Sequence, residues 1–550
     1  MDNKDVDAEI HPLKNDEKVL KNNETDTDIR EGIKKHSWLS SCRTGAFFAS
    51  LFLCLTVVFA FSFIIPCPLR PFSQRTWSTQ YTRAMTYTFL AAEDVNQDKV
   101  KDVIFLFQVE DNSKLNVSCE DGGFQFPCTF ITALSGTNGS ALWTRPVAEH
   151  VQLVECGISN LGGTQVSGCI IIGNPDSLLA INTETGNIVW QKTSQFPPNG
   201  VARNPVITIE DVNGDGVKDL MFIFSVEDEL QTVIISGKNG DRIGQNRSIG
   251  IAKKEGHYIH LTASGSQYVL LYAGGSVEGY SVRDLCSKIK GDENKPAQYR
   301  IDPDWEAQSN LSVGYISILP ISSSGDVRFL MKVPGKYYDN ILVVKSEVSE
   351  LLDGQKFNSL WSVNTTNIVS KPALGYFKKD VLSIMMELGI RNGRKKVIIV
   401  DSNSGTVQWE VKMNLGITNP SPVTLNTGDH RSIFLFWGEH TLEFNNSMER
   451  KEILYMFHPS YPTVLLQLNN HTENIVLFDA FLFEKSRHAC YVLLTGPKTT
   501  ENFGTVSVSK RKLKEDITNS KVIWLSKEES NDNEIRDHFF RMRYTSHAKA

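Results

Sequence analysis

The sequence predicts an all-β fold: a β-propeller ectodomain of seven or eight blades, with eight the better fit to the spacing, preceded by one transmembrane helix. Three observations predict it. A charge-free apolar run near the N-terminus is long enough to span a bilayer. Beyond it, short apolar runs alternate with clusters of Gly, Asn, Asp and Ser. Two phrases, one rich in carboxylates and one built on Gly and Trp, recur along the chain.

Residues 1–44 are polar and almost free of aromatics. Such a segment buries too little apolar surface to fold alone, and it reads as a disordered cytosolic tail. Next comes "GAFFASLFLCLTVVFAFSFII", residues 45–65, without a charge. A bilayer core takes roughly 20 such residues as a helix, so 45–66 reads as a membrane span. The polar segment before it is too long for the n-region of a signal peptide, and no small-residue cleavage site follows. Arg30, Lys34, Lys35 and Arg43 precede the run, and Arg70, Arg75 and Arg83 follow it. This weak bias places the N-terminus in the cytosol and the C-terminus outside, as in a type II protein at the cell surface. Residues 67–81 then read as a juxtamembrane linker.

Two further features favour an extracellular or lumenal home. Sequons lie beyond the run at Asn116, Asn138, Asn246, Asn310, Asn364, Asn445 and Asn470; each is a candidate glycan acceptor. Of nine cysteines, seven follow the run. Cys119 with Cys128, and Cys156 with Cys169, are close enough for local disulfides, although sequence alone fixes no connectivity. Cys67, next to the apolar run, is a candidate for a bridge between two copies or for a free thiol. The net charge of −6 and the lack of a basic stripe argue against nucleic acid.

The carboxylate phrase is "EDVNGDGVKDL", residues 210–220. Asp211, Asn213, Asp215 and Asp219 stand at loop positions one, three, five and nine, and Val217 offers a backbone carbonyl at seven. Gly216 supplies the tight turn at six. Calcium takes six to eight oxygens, and this spacing wraps several around one point. Position twelve, a Glu in EF-hands, is Phe222 inside the apolar run "LMFIFSV", so the loop joins strands. The alternative is an Asx-rich turn without metal. A second copy, "EDVNQDKVKDVIFLF" (93–107), repeats Asp94, Asn96, Asp98, Val100 and Asp102, with Lys99 in place of the turn glycine. The copies start 117 residues apart (94 to 211), twice 58–59, which predicts one unlabelled unit between them.

The second phrase reads "ALSGTNGSALW" (133–143), "AINTETGNIVW" (180–190), "IISGKNGDRIG" (234–244) and "IVDSNSGTVQW" (399–409), with "LLDGQKFNSLW" (351–361) a looser copy. The glycine gives the positive φ of a tight hairpin, and the Trp four residues on wedges between neighbouring sheets. Gly244 replaces the Trp in the third copy. Units of turn and strand recur about every 55 residues across 82–526, a blade-sized period. The unit around 255–290 is weak, which keeps seven blades open. A β-sandwich array is the architectural alternative, but it leaves the common spacing unexplained. Residues 527–550 form a charged tail that is either a short helix or unstructured.

"DVNGDGVKDLMF" resembles the calcium loop of FG-GAP repeats in integrin α-chain propellers, but no Gly-Ala-Pro follows the strand. "AEIHPLKN" (8–15), "FFASLFLCL" (47–55), "IPCP" (65–68), "YMFHP" (455–459) and "RHACYVLLTGP" (487–497) resemble the family with sequence similarity 234, of integrin-alpha FG-GAP repeat-containing type. The resemblance implies a single-pass type II membrane protein with a propeller ectodomain, and it implies no reaction.

Two functions follow. One is a membrane-anchored, calcium-stabilised interaction module for a cell-surface or secreted protein. The other is a propeller enzyme, a hydrolase or quinoprotein-like. The sequence lacks G-x-S-x-G, H-E-x-x-H and a P-loop, which favours the first. "HYIH" (257–260) pairs two histidines three apart. On a strand these face opposite sides and read as packing residues.

Overall fold

The structure is a computed structural model. It describes residues 36–64, 76–110, 117–174, 176–251, 256–291, 299–308, 314–319, 325–439, 452–471, 473–482, 489–526 and 531–545. Two compact units divide the chain, Met1–Pro71 and Phe72–Ala550.

The first unit holds one described element, α1 (His36–Ile64). Its side chains are described over 44–60, and all are exposed. Among the described residues no helix is long and apolar enough to cross a membrane; the stretch 44–60 is shorter than the roughly 20 residues a bilayer core takes. The tail 1–35 and the segment 65–75, with Cys67, lie outside the described residues.

The second unit is all-β in plan. It opens with β1 (Trp77–Glu93), β2 (Asp102–Val109), β3 (Cys128–Leu134) and β4 (Ala141–Ala148), antiparallel in chain order. β2 reads DVIFLFQV and is buried along its whole length. A strand covered on both faces needs such a continuous apolar run rather than an alternating one. Further sheets repeat the plan with four strands each, over 150–193, 201–251, 256–319, 327–364, 373–414 and 423–471. The last of these gains a fifth strand, Lys521–Trp524. The expected unlabelled unit, 150–193, sits between the two carboxylate loops.

The final strands Ile475–Leu482, Ala489–Thr495 and Gly504–Lys512 join the first sheet through β1. Trp77–Ala84 pairs with Gly504–Lys512, and Ala84–Glu93 pairs with β2. Register breaks near Thr82 and between Thr86 and Leu90 let one strand serve two sheets. First strands of successive sheets lie side by side. β1 neighbours His150–Ile158, followed by Val201–Ile209, Gly256–Leu261 and Val327–Val333. Ala373–Lys378 neighbours Val423–Asn426, then Ile475–Leu482, which returns to β1. Apolar clusters fill the gaps between sheets: Ile104, Leu106 and Ile131 pack on Ile171 and Leu179 of the next sheet. This is a β-propeller.

The Gly–Trp phrase is the tie between sheets. Trp143, Trp190, Trp361 and Trp409 lie on fourth strands. Their indole N–H groups donate to carbonyls of the following sheet, at Thr183 (2.9 Å), Gly237 (3.3 Å), Ser402 (2.7 Å) and Pro462 (2.8 Å). The phrase glycine is the seat for the preceding Trp. A Cβ on Gly240 would fall 2.4 Å from Trp190, and one on Gly186 would fall 2.6 Å from Trp143. Trp77 docks likewise on Gly136 and Gly139.

Two expectations need correction. Strand begins at Trp77, inside the stretch read as linker to 81, because Trp77–Ala84 completes the last sheet. The weak unit near 255–290 contains a helix, Val282–Lys290, and this explains Gly244. The Ile289 carbonyl would lie 2.3 Å from a Cβ at 244, so the helix fills the Trp position. Of the two readings of the tail from 527, the short helix is the one found: Asp532–Arg541, whose Ile535 and Phe539 join the core with Tyr544.

Candidate metal centre

Both carboxylate loops connect the first and second strands of their sheets, and each is closed by its own side chains. In the second loop Asp211 accepts backbone N–H bonds from Gly214 (2.6 Å), Asp215 (3.2 Å) and Gly216 (2.7 Å). Asn213 accepts from Asp215 N–H, and Asp215 accepts from Val217 N–H, both at 3.0 Å. Positive φ at Gly214 (80°) and Gly216 (86°) makes this winding accessible.

Asp219 is fully buried and clamps the loop from below. One oxygen accepts from Val212 N–H (2.7 Å), and the other from Gly237 N–H (3.2 Å). Asp102 does the same in the first loop, accepting from Val95 (2.9 Å), Asn96 (3.2 Å) and Gly136 (2.8 Å). Gly136 and Gly237 belong to the Ser-Gly start of the Gly–Trp hairpins, and their carbonyls receive Trp77 and Trp190. The two phrases are therefore one device, in which the loop holds the hairpin and the hairpin holds the Trp. Sequence reasoning missed Ser236 and Thr137, whose hydroxyls donate to Asp215 (2.7 Å) and Asp98 (3.2 Å). It also missed Lys290, which reaches the Val212 carbonyl at 2.9 Å. The "SG-x-NG" of both hairpins was the signal for Ser236, whereas Thr137 stands at its variable position, where no shared residue marked it.

Burial pushes the Asp102 carboxyl up to about 6 against its backbone donors, and raises Asp219 likewise. Asp215 behaves oppositely. Desolvation works against its ionisation, but bonds from Ser236, Asn213 and Val217 and the Lys238 ammonium hold it below the usual carboxylate range.

An ion about 2.4 Å from its ligands needs their oxygens within roughly 4.8 Å of one another. Oxygens of Asp211, Asp215 and Asp219 meet this, and they form the one such group among the described residues. The donors are hard oxygens, so the set fits calcium. Asn213 and the carbonyl at Val217 stand at the remaining loop positions. The first loop does not gather Asp94, Asp98 and Asp102 to that distance. There Lys99 takes the turn with φ 69° and Gln97 with φ 58°. Asp94 accepts Lys99 N–H at 2.9 Å, and Val100 N–H bonds Asp98 at 2.8 Å.

The disulfides Cys119–Cys128 and Cys156–Cys169 are present. Asn138 and Asn364 are exposed and Asn246 is half-buried. Asn470 lies on the strand Val464–His471 with its side chain outside the described residues, as are Asn116, Asn310 and Asn445 entirely. His257 and His260 bond opposite neighbours, the Pro205 carbonyl at 2.8 Å and the Gly354 carbonyl at 3.1 Å. They are packing residues, as the strand alternation requires.

A family model described as the FAM234A/B beta-propeller matches residues 77–545. Protein FAM234A of Homo sapiens is 41% identical over 558 residues, covering 100% of each chain. Protein FAM234B of Gallus gallus is 30% identical over 504 residues, covering 88% of this chain and 79% of that one. Among solved structures, Saccharomyces cerevisiae Sqt1 is similar over 80% of this chain and 98% of that one, with TM-score 0.43 and 8% identity. From β1 at Trp77 to the bridge at Tyr544, strand plan, core and sequence agree: the chain belongs to the FAM234A/B β-propeller family.

Proposed function

We propose that the chain is a single-pass type II membrane protein of the cell surface, whose glycosylated, calcium-stabilised propeller is an interaction module without enzymatic activity. We read eight blades, with β1 split between the first and the last. Support for the anchor is the charge-free run 45–65. Support for the outside location is the local disulfides and the exposed Asn138 and Asn364. Calcium belongs at Asp211, Asp215 and Asp219, where it would neutralise three converging carboxylates and stiffen the turn. The observation that carries the reading is the coupling of that loop, through Asp219 and Gly237, to the Trp190 tie between sheets. Calcium binding there would be felt across a blade boundary. The partner is an extracellular or membrane-bound protein, with a second copy through Cys67 as one form.

The test is capture of cell-surface proteins by the full chain, in millimolar calcium and in chelator. A protein retained only with calcium supports the module. Equal, non-specific retention in both conditions, with the chain folded, removes it.

A further inference from the structure

A cavity of about 610 Å3 opens between the sheets 150–193 and 201–251. It lies where Val201 begins its strand, at the opposite end from the loop 211–219, which follows that strand's other end. The size falls in the range of small-molecule sites. Its floor is apolar. Phe196 lies against Phe224 at 4.6 Å between ring centroids, beside Pro197. Val201 at the edge is 59% exposed.

The rim is polar and strained. Asp176, Ser194 and Asn199 line the cavity and all adopt left-handed backbone, with φ of 36°, 57° and 59°. Asp and Asn tolerate this region through their short polar side chains, whereas at Ser194 it costs about 1–2 kcal/mol. Convergence of three such residues on one cavity is the pattern of a functional site. None of the three side chains has a partner among the described residues. Gln152 donates to the Asn174 carbonyl oxygen at 2.6 Å, which turns the Asn174 amide nitrogen into a fixed donor at the same rim.

The lining selects the ligand class. Among the described residues no Lys, Arg or His lines the cavity, and Asp176 is the sole charge there, so a phosphate or carboxylate is repelled. One carboxylate is too few for a divalent cation. A wholly apolar ligand would strip water from polar side chains and return no hydrogen bonds. A polyhydroxylated ring offers hydroxyl donors and acceptors to the rim and a C–H face to the floor. We propose that this cavity is a saccharide-binding site, with Asp176, Ser194, Asn199 and Asn174 as hydrogen-bonding groups over the Phe196 floor. The site goes beyond the interaction reading and depends on neither calcium nor cell location.

The experiment places the full chain in lipid nanodiscs and measures binding of glucose, galactose, mannose, N-acetylglucosamine and their β-linked disaccharides by saturation-transfer NMR and calorimetry. Benzylamine serves as the cationic control. Variants Asp176→Gly and Asn199→Gly remove the polar groups while keeping the left-handed turns. At least one saccharide is expected to bind, with affinity falling about tenfold in each variant for the lost hydrogen bonds and the unfolding midpoint unchanged or raised. The proposal is overturned if the natively folded chain binds none of these sugars. It is equally overturned if binding survives in the double glycine variant, or if benzylamine binds there and sugars do not. Failure of cell-surface capture leaves this result standing, so the two readings fail separately.

Discussion

The loops 94–102 and 211–219 share a spacing, a place in their sheets and a buried clamp, yet one gathers three carboxylates around a point and the other does not. At Asp102 and Asp219 they are equivalent: both carboxylates are buried and both hold a Ser-Gly hairpin. They part at the turn. Two glycines let the second loop coil so that Asp211 accepts three backbone N–H groups. Gln97 and Lys99 carry the same turn in the first loop with side chains that resist it. The contrast separates two roles that one motif combines. The ninth-position Asp is architecture in both loops, and in 211–219 its oxygen also joins those of the first and fifth positions within reach of one metal.

If that division is right, the largest effect falls on the clamps, and on both loops alike. Asp219→Ala and Asp102→Ala each leave buried backbone donors unpaired, with an expected cost of about 3–5 kcal/mol. Denaturant midpoints of the purified chain measure it. A loss at one position alone would break the equivalence.

Acid acts on the histidines and on the loop clamps with opposite signs. Burial holds both His260 and His458 at about 4, well below the ordinary imidazole value. In the unfolded chain each takes its proton near 6.5, so between these values the unfolded state binds more protons. The histidine contribution to stability therefore falls as pH drops from 6.5 towards 4, by roughly 3 kcal/mol for each histidine, while Asp102, raised to about 6, takes its proton first in the folded chain and offsets part of that loss. Urea unfolding across this window checks it, and His458→Gln should flatten the slope.

Calcium should distinguish the loops. For an affinity of ~10⁻⁴ M, about 2 mM calcium stabilises the chain by about 1.8 kcal/mol. Asp215→Ala should abolish that gain, whereas Asp98→Ala should leave it. Abolition by Asp98→Ala would place an ion in the first loop as well.

The smallest effect is conformational. Lys99→Gly should stabilise by about 0.5–1 kcal/mol, relief of left-handed strain less the entropy of glycine. Gly216→Ala should destabilise by about 1 kcal/mol. A Cβ there meets nothing within 4 Å, so the cost is backbone strain rather than a clash. Melting curves of the two variants in chelator test the pair.

Much of the architecture was legible because it rests on local chemistry. The run Asp219–Val226 had to be a strand covered on both faces, since it has no polar face to present. The glycine four residues before Trp143, Trp190 and Trp409 marked a hairpin, because it takes the positive φ and leaves room for the indole seated on it. Short separations made Cys119 with Cys128 and Cys156 with Cys169 candidate pairs, and the structure fixes their connectivity. By contrast, the start of the propeller at Trp77 was not legible. That strand's partner, Gly504–Lys512, lies at the other end of the chain, and no local pattern encodes so distant a pairing. The helix Val282–Lys290 was hidden for a related reason: its apolar face is fitted to the space left by a missing Trp at 244.

The sequence by itself determined that the fold is built of short strands, which apolar runs are buried strands and which loops carry carboxylates at ligand spacing, because these depend on side-chain chemistry a few residues apart. The tertiary structure alone decided that β1 completes both the first and the last sheet. It decided too that Asp102 and Asp219 each join their own loop to a hairpin remote in sequence, and that, of the two loops, 211–219 gathers its oxygens around one point. Each of these depends on where backbone groups remote in sequence come to rest. Packing between sheets settles that, since it rewards apolar burial and leaves buried polar groups to find partners wherever the fold has brought them.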